Sequence, residues 1–533
     1  MTEVSGTAES TENIVRLAKP VKKGILRLIF SRIFVIALLL ILQVVFTVAT
    51  YIYLFDRIHV LLYLQWAFEV VMIIYLFNSR MDSSAKLTWM LIVAFLPVAG
   101  ALMLLFTQSN LGHRKEKEFT ARQIEKTRHM LSQSEEVFRA VEHDGSGTDD
   151  LSKYLNLSGC FPLYDQTVVT YFPLGEEKFT AMLEELEKAE KYIFMEYFIV
   201  EEGYMWGRIL DVLTRKAKEG VEIRVMYDGM CEISQLPAGY WKLLEKEGIH
   251  AKAFSPIKAL LSTHYNYRDH RKILVIDGKV AFNGGVNLAD EYINRIKRFG
   301  HWKDTAVMLK GPAAQSFALM FLQMWHIRGK DEDYDRWLTD PAAEDIGAAG
   351  ANGYVMPYCD CPLDGYKVGE SVYMDILNRA TDYVHIMTPY LIIDDRMANA
   401  LMFAAQRGVD VKIILPGIPD KKLAYSLAKT HYHALIDAGV KIYEYTPGFV
   451  HAKVFVSDDI KAVVGTINLD YRSLYHHFEC ATYMYKTDCI ADITQDFEQT
   501  LADCRTVTEE TIKNEKTSMK IMGRLAKAIA PLM

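Results

Sequence analysis

His270-Arg-Lys272-Ile-Leu-Val-Ile-Asp277, trailed by Gly284-Gly285-Val-Asn287, decides how this chain is to be read. It returns as His451-Ala-Lys453-Val-Phe-Val-Ser-Asp458, trailed by Gly465-Thr466-Ile-Asn468. Residue frequencies predict roughly 0.06 chance copies of His-x-Lys-x4-Asp in a chain of this composition. Two copies, each with a glycine seven and an asparagine ten residues after the Asp, are a duplication.

Side chains alternate along a strand, so His270 and Lys272 share one face, as do His451 and Lys453. Asp277 and Asp458 have the opposite parity and close the strands, where Asp277-Gly278 and Asp458-Asp459 look like turns. They belong to the motif but are expected to be structural, holding a loop or a charge partner. A returning strand would carry Asn287 and Asn468 back beside the His–Lys pairs. Two histidines, two lysines and two amides converging on one pocket suit a phosphodiester, whose oxygens the ammoniums and amides would cradle. One neutral histidine would attack phosphorus, and the other, protonated, would protonate the departing alkoxide and later deprotonate the acceptor. The two would titrate as a coupled unit. Acids are needed to orient the imidazoles. Asp304, in His301-Trp-Lys-Asp304, and Glu479, in His476-His-Phe-Glu479, lie at similar distances downstream of His270 and His451 respectively.

Around the motifs the order strand, helix, strand occurs twice. Tyr192 to Val200, Trp206 to Glu219 and Val221 to Met226 read so, and Tyr383 to Met387, Asp395 to Arg407 and Val409 to Leu415 repeat them. Such a repeat predicts two similar α/β halves packed together. The predicted layout is a basic N-terminal tail (1–32), an apolar anchor (33–106), a charged helical connector (107–150), a first half (151–335), a linker (336–365), a second half (366–510) and a basic amphipathic C-terminal helix (511–533).

The 533 residues are 50% apolar, 24% charged and 12% aromatic, which excludes a disordered, collagenous or low-complexity chain. The mean hydropathy of +0.03 predicts a membrane segment joined to a globular body. Ile33–Phe55, Val60–Phe77 and Leu87–Phe106 are the apolar runs. Basic residues flank the set on both sides: Arg16, Lys19, Lys22, Lys23, Arg27 and Arg32 before it, Arg114, Lys115, Lys117 and Arg122 after it. Both flanks therefore read as cytoplasmic. Three full crossings would separate them, so the third run, carrying Pro97 and Gly100, is expected to fold back as a re-entrant hairpin. Glu69 within the second run is either functional, or its helix is short or its side chain faces protein. Seven scattered cysteines read as reduced, mostly buried thiols. The net charge of −7 and the lack of a basic, aromatic-interleaved run argue against nucleic acid. From Thr511 onward Lys513, Lys516, Lys520, Arg524 and Lys527 face a single Glu515, with Met519, Met522, Leu525, Ala526 and Ile529 at helical spacing. That helix would lie on anionic lipid or pack on the body.

The duplicated motif resembles the phospholipase D superfamily. Within it the chain is similar to the membrane-anchored bacterial cardiolipin synthases over roughly residues 80 to 533. The likeness rests on Leu96-Pro-Val-Ala-Gly100, Tyr267-Arg-Asp-His-Arg-Lys272, Trp302-Lys-Asp-Thr305, Tyr445-Thr-Pro-Gly-Phe-Val-His-Ala-Lys453 and the basic tail. Ile33–Phe55 looks like an added span. The resemblance implies two α/β/α halves with mixed sheets packed pseudo-symmetrically behind a transmembrane helical region. It implies phosphatidyl transfer between two phosphatidylglycerols, giving cardiolipin and glycerol, in a bacterial plasma membrane with the catalytic body in the cytoplasm. Carried over, His270 would be the nucleophile and His451 the general acid and base. Lys272, Lys453, Asn287 and Asn468 would hold the phosphate, with Asp304 and Glu479 behind the histidines. Exchange of phosphodiesters needs no nucleotide and no metal, and the sequence shows no Walker loop, magnesium signature or zinc spacing; His431-Tyr-His433 has no third ligand nearby. The alternatives are a membrane-bound phospholipase or phosphodiesterase using water, and a catalytically dead lipid-binding scaffold. Both intact His–Lys pairs argue against the scaffold.

Overall fold

The computed structural model describes residues 58–79, 81–108, 114–142, 144–159, 161–255, 267–327, 332–338 and 350–532, with 15–17 and isolated positions between 41 and 52. The first apolar run, Ile33–Phe55, thus lies almost wholly outside the described residues. Two sheets follow one plan. The first contains β1 (Val168–Phe172), β2 (Tyr192–Tyr197), β3 (Glu222–Asp228), β4 (His250–Phe254), β5 (Lys272–Ile276), β6 (Val280–Gly284) and β7 (Ala306–Lys310), in the order β1-β7-β6-β5-β2-β3-β4. The second contains β8 (Tyr354–Asp360), β9 (Tyr383–Met387), β10 (Asp410–Pro416), β11 (Lys441–Tyr445), β12 (Val454–Ser457), β13 (Lys461–Gly465), β14 (His477–Tyr485) and β15 (Cys504–Thr506). Its order, β8-β14-β13-β12-β9-β10-β11-β15, is the first order with one edge strand added. Strand β8 falls inside the stretch 336–365 expected as linker, which is a correction to that boundary.

Both sheets are mixed for the same reason. A βαβ unit makes β2 parallel to β3 and β9 parallel to β10, while the motif hairpin adds β5 antiparallel to β2 and β12 antiparallel to β9. Period two is visible in β5, where Ile273 and Val275 enter one hydrophobic core and Leu274 and Ile276 enter another. The first of these cores runs on through the second half, so the two sheets share an interior.

The motif hairpins turn as the sequence suggested. Asp277 and Gly278 take φ of 52° and 67°, and Asp458 and Asp459 take 53° and 56°. With the Lys279 N–H donating to the Ile276 carbonyl and Ile460 N–H to Ser457, both are type I′ turns, which match strand twist. Asp also tolerates the left-handed region better than most residues.

In the N-terminal part, α1 (Ile58–Phe77) is followed by α2 (Ser83–Phe95) and α3 (Pro97–Gln108). Among the described residues no helix is long and apolar enough to cross a membrane. The third apolar run is broken at Leu96, where φ −135° and ψ 69° end α2 and Pro97 starts α3. A Cβ on Gly100 would stand 2.9 Å from the Ile92 carbonyl oxygen, so the two helices meet closely there. Leu76, Trp89, Val93 and Leu104 form a small core, while Leu87, Leu91, Phe95, Leu102 and Leu105 face outward. Helices Arg114–Thr127, Glu135–Val141 and Thr148–Gly159 connect this region to the body.

Three more helices matter below: α4 (Gly175–Leu186), α5 (Lys422–Asp437) and α6 (Thr517–Ile529). The tail helix α6 packs on α5 through Gly523, whose Cβ would sit 2.3 Å from the Ser426 carbonyl oxygen, and through Ala526. It also touches the N-terminal region, where the Thr88 hydroxyl donates to the Ala528 carbonyl at 2.9 Å. Its other face presents Ile521, Leu525 and Ile529 to the outside.

Candidate active site

Two very short parallel pairings build the centre. Arg268–Asp269, just ahead of His270, runs beside His477–Phe478, just ahead of Glu479. Gly448–Val450, just ahead of His451, runs beside His301–Lys303, just ahead of Asp304. The His270 N–H donates to the Phe478 carbonyl at 2.9 Å and the His451 N–H to the Lys303 carbonyl at 2.7 Å. Each half therefore delivers its acid to the other half's histidine. His270 Nδ1 lies 2.9 and 3.0 Å from the two Glu479 oxygens, and His451 Nδ1 lies 2.6 Å from Asp304 Oδ2. The sequence reading had placed Asp304 with His270 and Glu479 with His451, and the structure reverses both pairings.

The motif glycines are what allow this approach. A Cβ on Gly284 would stand 2.4 Å from the Thr305 carbonyl oxygen, and one on Gly465 would stand 2.3 Å from the Ala481 Cβ. A Cβ on Gly285 would lie 2.0 Å from Asp304 Oδ1, so the carboxylate occupies the space a side chain would need. The second half has Thr466 at that position, and its hydroxyl donates to Glu479 instead.

Both acids and both imidazoles are buried. Burial works to raise the pKa of each acid. For Glu479 the His270 imidazole, followed by His477, outweighs it; for Asp304 it is His451 and Lys453 that hold the carboxyl below the usual range. Burial drives His270 well below its ordinary value and, together with Lys453, lowers His451 to about 4. The resting centre is thus two neutral imidazoles against two carboxylates. In that state Nδ1–H is held by the acid and the Nε2 lone pair is open. Lys272 and Lys453 each donate to the carbonyl of their own histidine, and burial lowers them to about 8 and about 7.

Asp277 and Asp458 are placed elsewhere, at the far ends of β5 and beyond β12. The Asp277 carboxylate accepts from the N–H groups of Glu190, Lys191 and Tyr192 at 2.7–2.8 Å, and Asp458 accepts from Thr381, Asp382 and Tyr383 at 2.8–3.0 Å. They tie down the loops that enter β2 and β9. Asn287 is engaged locally, accepting from Ile199 N–H at 2.9 Å and donating to the Tyr292 hydroxyl at 2.8 Å. Asn468 donates to Asp470 at 3.4 Å and leaves its Oδ1 without a partner among the described residues.

Sequence reasoning missed three features. Phe198 and His477 flank His270 at 4.9 and 5.5 Å between ring centroids, while Trp302, Tyr292 and Phe449 surround His451 at 5.4–5.9 Å. Lys303 bridges the halves, both Asp496 oxygens lying 2.8 Å from its Nζ. Lys178 on α4 is buried, and its amine meets the Tyr197 hydroxyl at 3.2 Å and the Val286 carbonyl at 3.5 Å. The alternation His301-Trp302-Lys303-Asp304 held a signal for the second feature.

Comparison with known proteins gives a consistent result. The family model described as cardiolipin synthase, PLD-like domain, matches residues 182–325 and 373–501. An uncharacterized protein of Streptococcus mutans is 58% identical over 86% of this chain and 98% of its own length. A cardiolipin synthase of Alkalihalophilus pseudofirmus is 32% identical, covering 84% of this chain and 88% of that one. Among solved structures, the phosphatidylserine synthase of Haemophilus influenzae superposes with a TM-score of 0.55 at 15% identity, over 72% of this chain and 97% of that one, which speaks for the fold alone.

Proposed function

The chain belongs to the cardiolipin synthase family of phospholipase D-like enzymes, and from that premise we propose the reaction its centre performs. It transfers a phosphatidyl group from one phosphatidylglycerol to another, releasing cardiolipin and glycerol. The observation that carries this reading is the crossed pair of buried His–acid contacts. His270 Nε2 attacks the donor phosphorus while Glu479 holds its Nδ1–H, and a phosphorus–nitrogen bond forms as the bond to glycerol breaks. His451, protonated once the anionic substrate is bound, gives its Nε2 proton to the departing alkoxide and stays oriented by Asp304. Glycerol leaves. The hydroxyl of a second phosphatidylglycerol then loses its proton to His451 and attacks phosphorus, freeing His270. Lys272 and Lys453 neutralise the phosphoryl oxygens, Asn468 completes the cradle with the Nδ2 hydrogen it does not give to Asp470, and Asn287 supports it through one remaining N–H.

The membrane is where both substrates live. We place residues 33–106 in it as a multi-pass anchor, with the body on the cytoplasmic side and α6 at the lipid surface. The exposed Ile521, Leu525 and Ile529, flanked by Arg524 and Lys527 and adjoining α2, support that placement. Purified protein given phosphatidylglycerol as sole lipid, without nucleotide, should yield cardiolipin and free glycerol. Phosphatidic acid as the sole product would make water the acceptor and overturn the transferase reading.

A further inference from the structure

The two halves match closely around their histidines, which makes one mismatch informative. Trp302 stands two residues before Asp304 and His477 two residues before Glu479. Each is in register with the residue two before a catalytic histidine, Trp302 with Phe449 and His477 with Arg268. Each ring lies beside that histidine, at 5.4 Å from His451 and 5.5 Å from His270. An indole N–H only donates, whereas an imidazole brings a lone pair. His477 is 9% exposed, and its Nδ1 has no hydrogen-bond partner among the described residues although it faces Glu479 Oε1 at 3.7 Å.

His270, His477 and Glu479 each offer a donor atom, all within 4.8 Å of one another. Two imidazoles and a carboxylate are a donor set that zinc accepts, with a fourth position left for water. Tetrahedral bonds of about 2.0–2.2 Å put neighbouring donors about 3.3–3.6 Å apart. The contacts of Glu479 with His270 and His477, 2.9 and 3.7 Å, bracket that spacing. We propose that His270, His477 and Glu479 form an inhibitory site for a borderline divalent transition ion such as zinc.

The inhibition follows from the tautomer, and it rests on the reading of His270 as nucleophile. In the working state Nδ1 carries the proton and Nε2 the lone pair that attacks phosphorus. A metal ion at Nδ1 takes that lone pair, so the ring's one proton must sit on Nε2, where the nucleophile has to be. The pocket stays open to substrate while the attacking atom is disarmed. The other half has no such weakness, because Trp302 stands where the third donor would be.

The test uses the full-length protein in detergent with zinc as the probe, titrated before any lipid is added. His433, Asp437 and Glu509 form a second, exposed donor cluster, so the work is done on the His433→Gln variant. One tightly bound zinc per chain is expected, located by anomalous scattering at the zinc edge beside His270. Adding His477→Gln, or His477→Trp to copy the other half, should weaken it by about 100-fold or more. With phosphatidylglycerol, zinc should lower kcat in proportion to occupancy, leave KM unchanged, and be reversed by chelation; activity that survives in the His477 variants should ignore zinc. Absence of the ion beside His270, or zinc affinity indifferent to both His477 substitutions, overturns the site and leaves the synthase reading intact. Zinc seen at the site with undiminished turnover overturns the inhibition and, with it, His270 as nucleophile.

Discussion

Replacing Glu479 with Gln preserves the side chain's shape and removes the charge that faces His270 Nδ1 at 2.9 and 3.0 Å. A charge-assisted hydrogen bond contributes about 1.5–3 kcal/mol, and at about 1.36 kcal/mol per decade its loss slows the step by roughly 10- to 150-fold. Full burial of Glu479 favours the upper end of that range. A phosphatidyl ester of p-nitrophenol separates the two sides of the centre, because p-nitrophenolate departs without a proton. The burst of colour then reports attack by the nucleophile alone. Glu479→Gln should slow the burst by that factor, whereas His270→Ala should abolish it. Asp304→Asn and His451→Ala should keep it yet fail with phosphatidylglycerol. If the histidine roles are exchanged, His451→Ala loses the burst and Asp304→Asn must follow it, so the pairing survives that outcome. The reasoning is refuted if Asp304→Asn tracks His270→Ala, since acid and histidine would then pair within each half.

Asp277→Ala strips three N–H groups of a charged acceptor and places Ala at φ 52°, so about 3–5 kcal/mol of stability should go. The better solvated Asp458→Ala should lose about 1–2 kcal/mol, with turnover per folded molecule unchanged in both; a 100-fold fall in kcat at unaltered stability would bring the Asp residues into the reaction. Gly285→Ala drives a methyl into Asp304 Oδ1, and a carboxylate displaced by about 1 Å should lower kcat about 100-fold, read as a loss of kcat beyond any loss of folded protein. Burial lowers Lys178 to about 7 from 10.5, so between these values the unfolded chain binds more protons and stability rises with pH. Melting temperatures from pH 6 to 10 should therefore climb less steeply in Lys178→Met, and an unchanged slope would mean the amine is not held uncharged.

The parts of this molecule written in local pattern were legible. Period two put each His–Lys pair on one face, Asp277-Gly278 declared its turn, the βαβ repeats announced two halves, and Pro97 marked a break. The crossing of the acids was not legible, because it depends on pairings of two or three residues, too short to leave a hydrophobic period. Only the distance between a strand in one half and a strand in the other decides it. Lys178 was hidden for a related reason: in Gly175-Glu-Glu-Lys178-Phe it looks like one more solvated charge at the start of a helix. Strand β8 was hidden because the stretch around it is rich in Asp, Ala, Gly and Pro, the composition of a linker, yet Pro357 sits on the edge of the sheet, where no N–H is required.

The exchange of acids also governs when the enzyme comes alive. Glu479 lies 209 residues beyond His270, so during synthesis the first histidine exists long before the carboxylate that orients it. Asp304, made 147 residues ahead of His451, waits in the same way for the ring it serves. Neither half, however well folded, owns a finished histidine. With His270 as the nucleophile proposed above, the chain could not attack phospholipid until the last strands close, and completion of the fold would act as the safety catch.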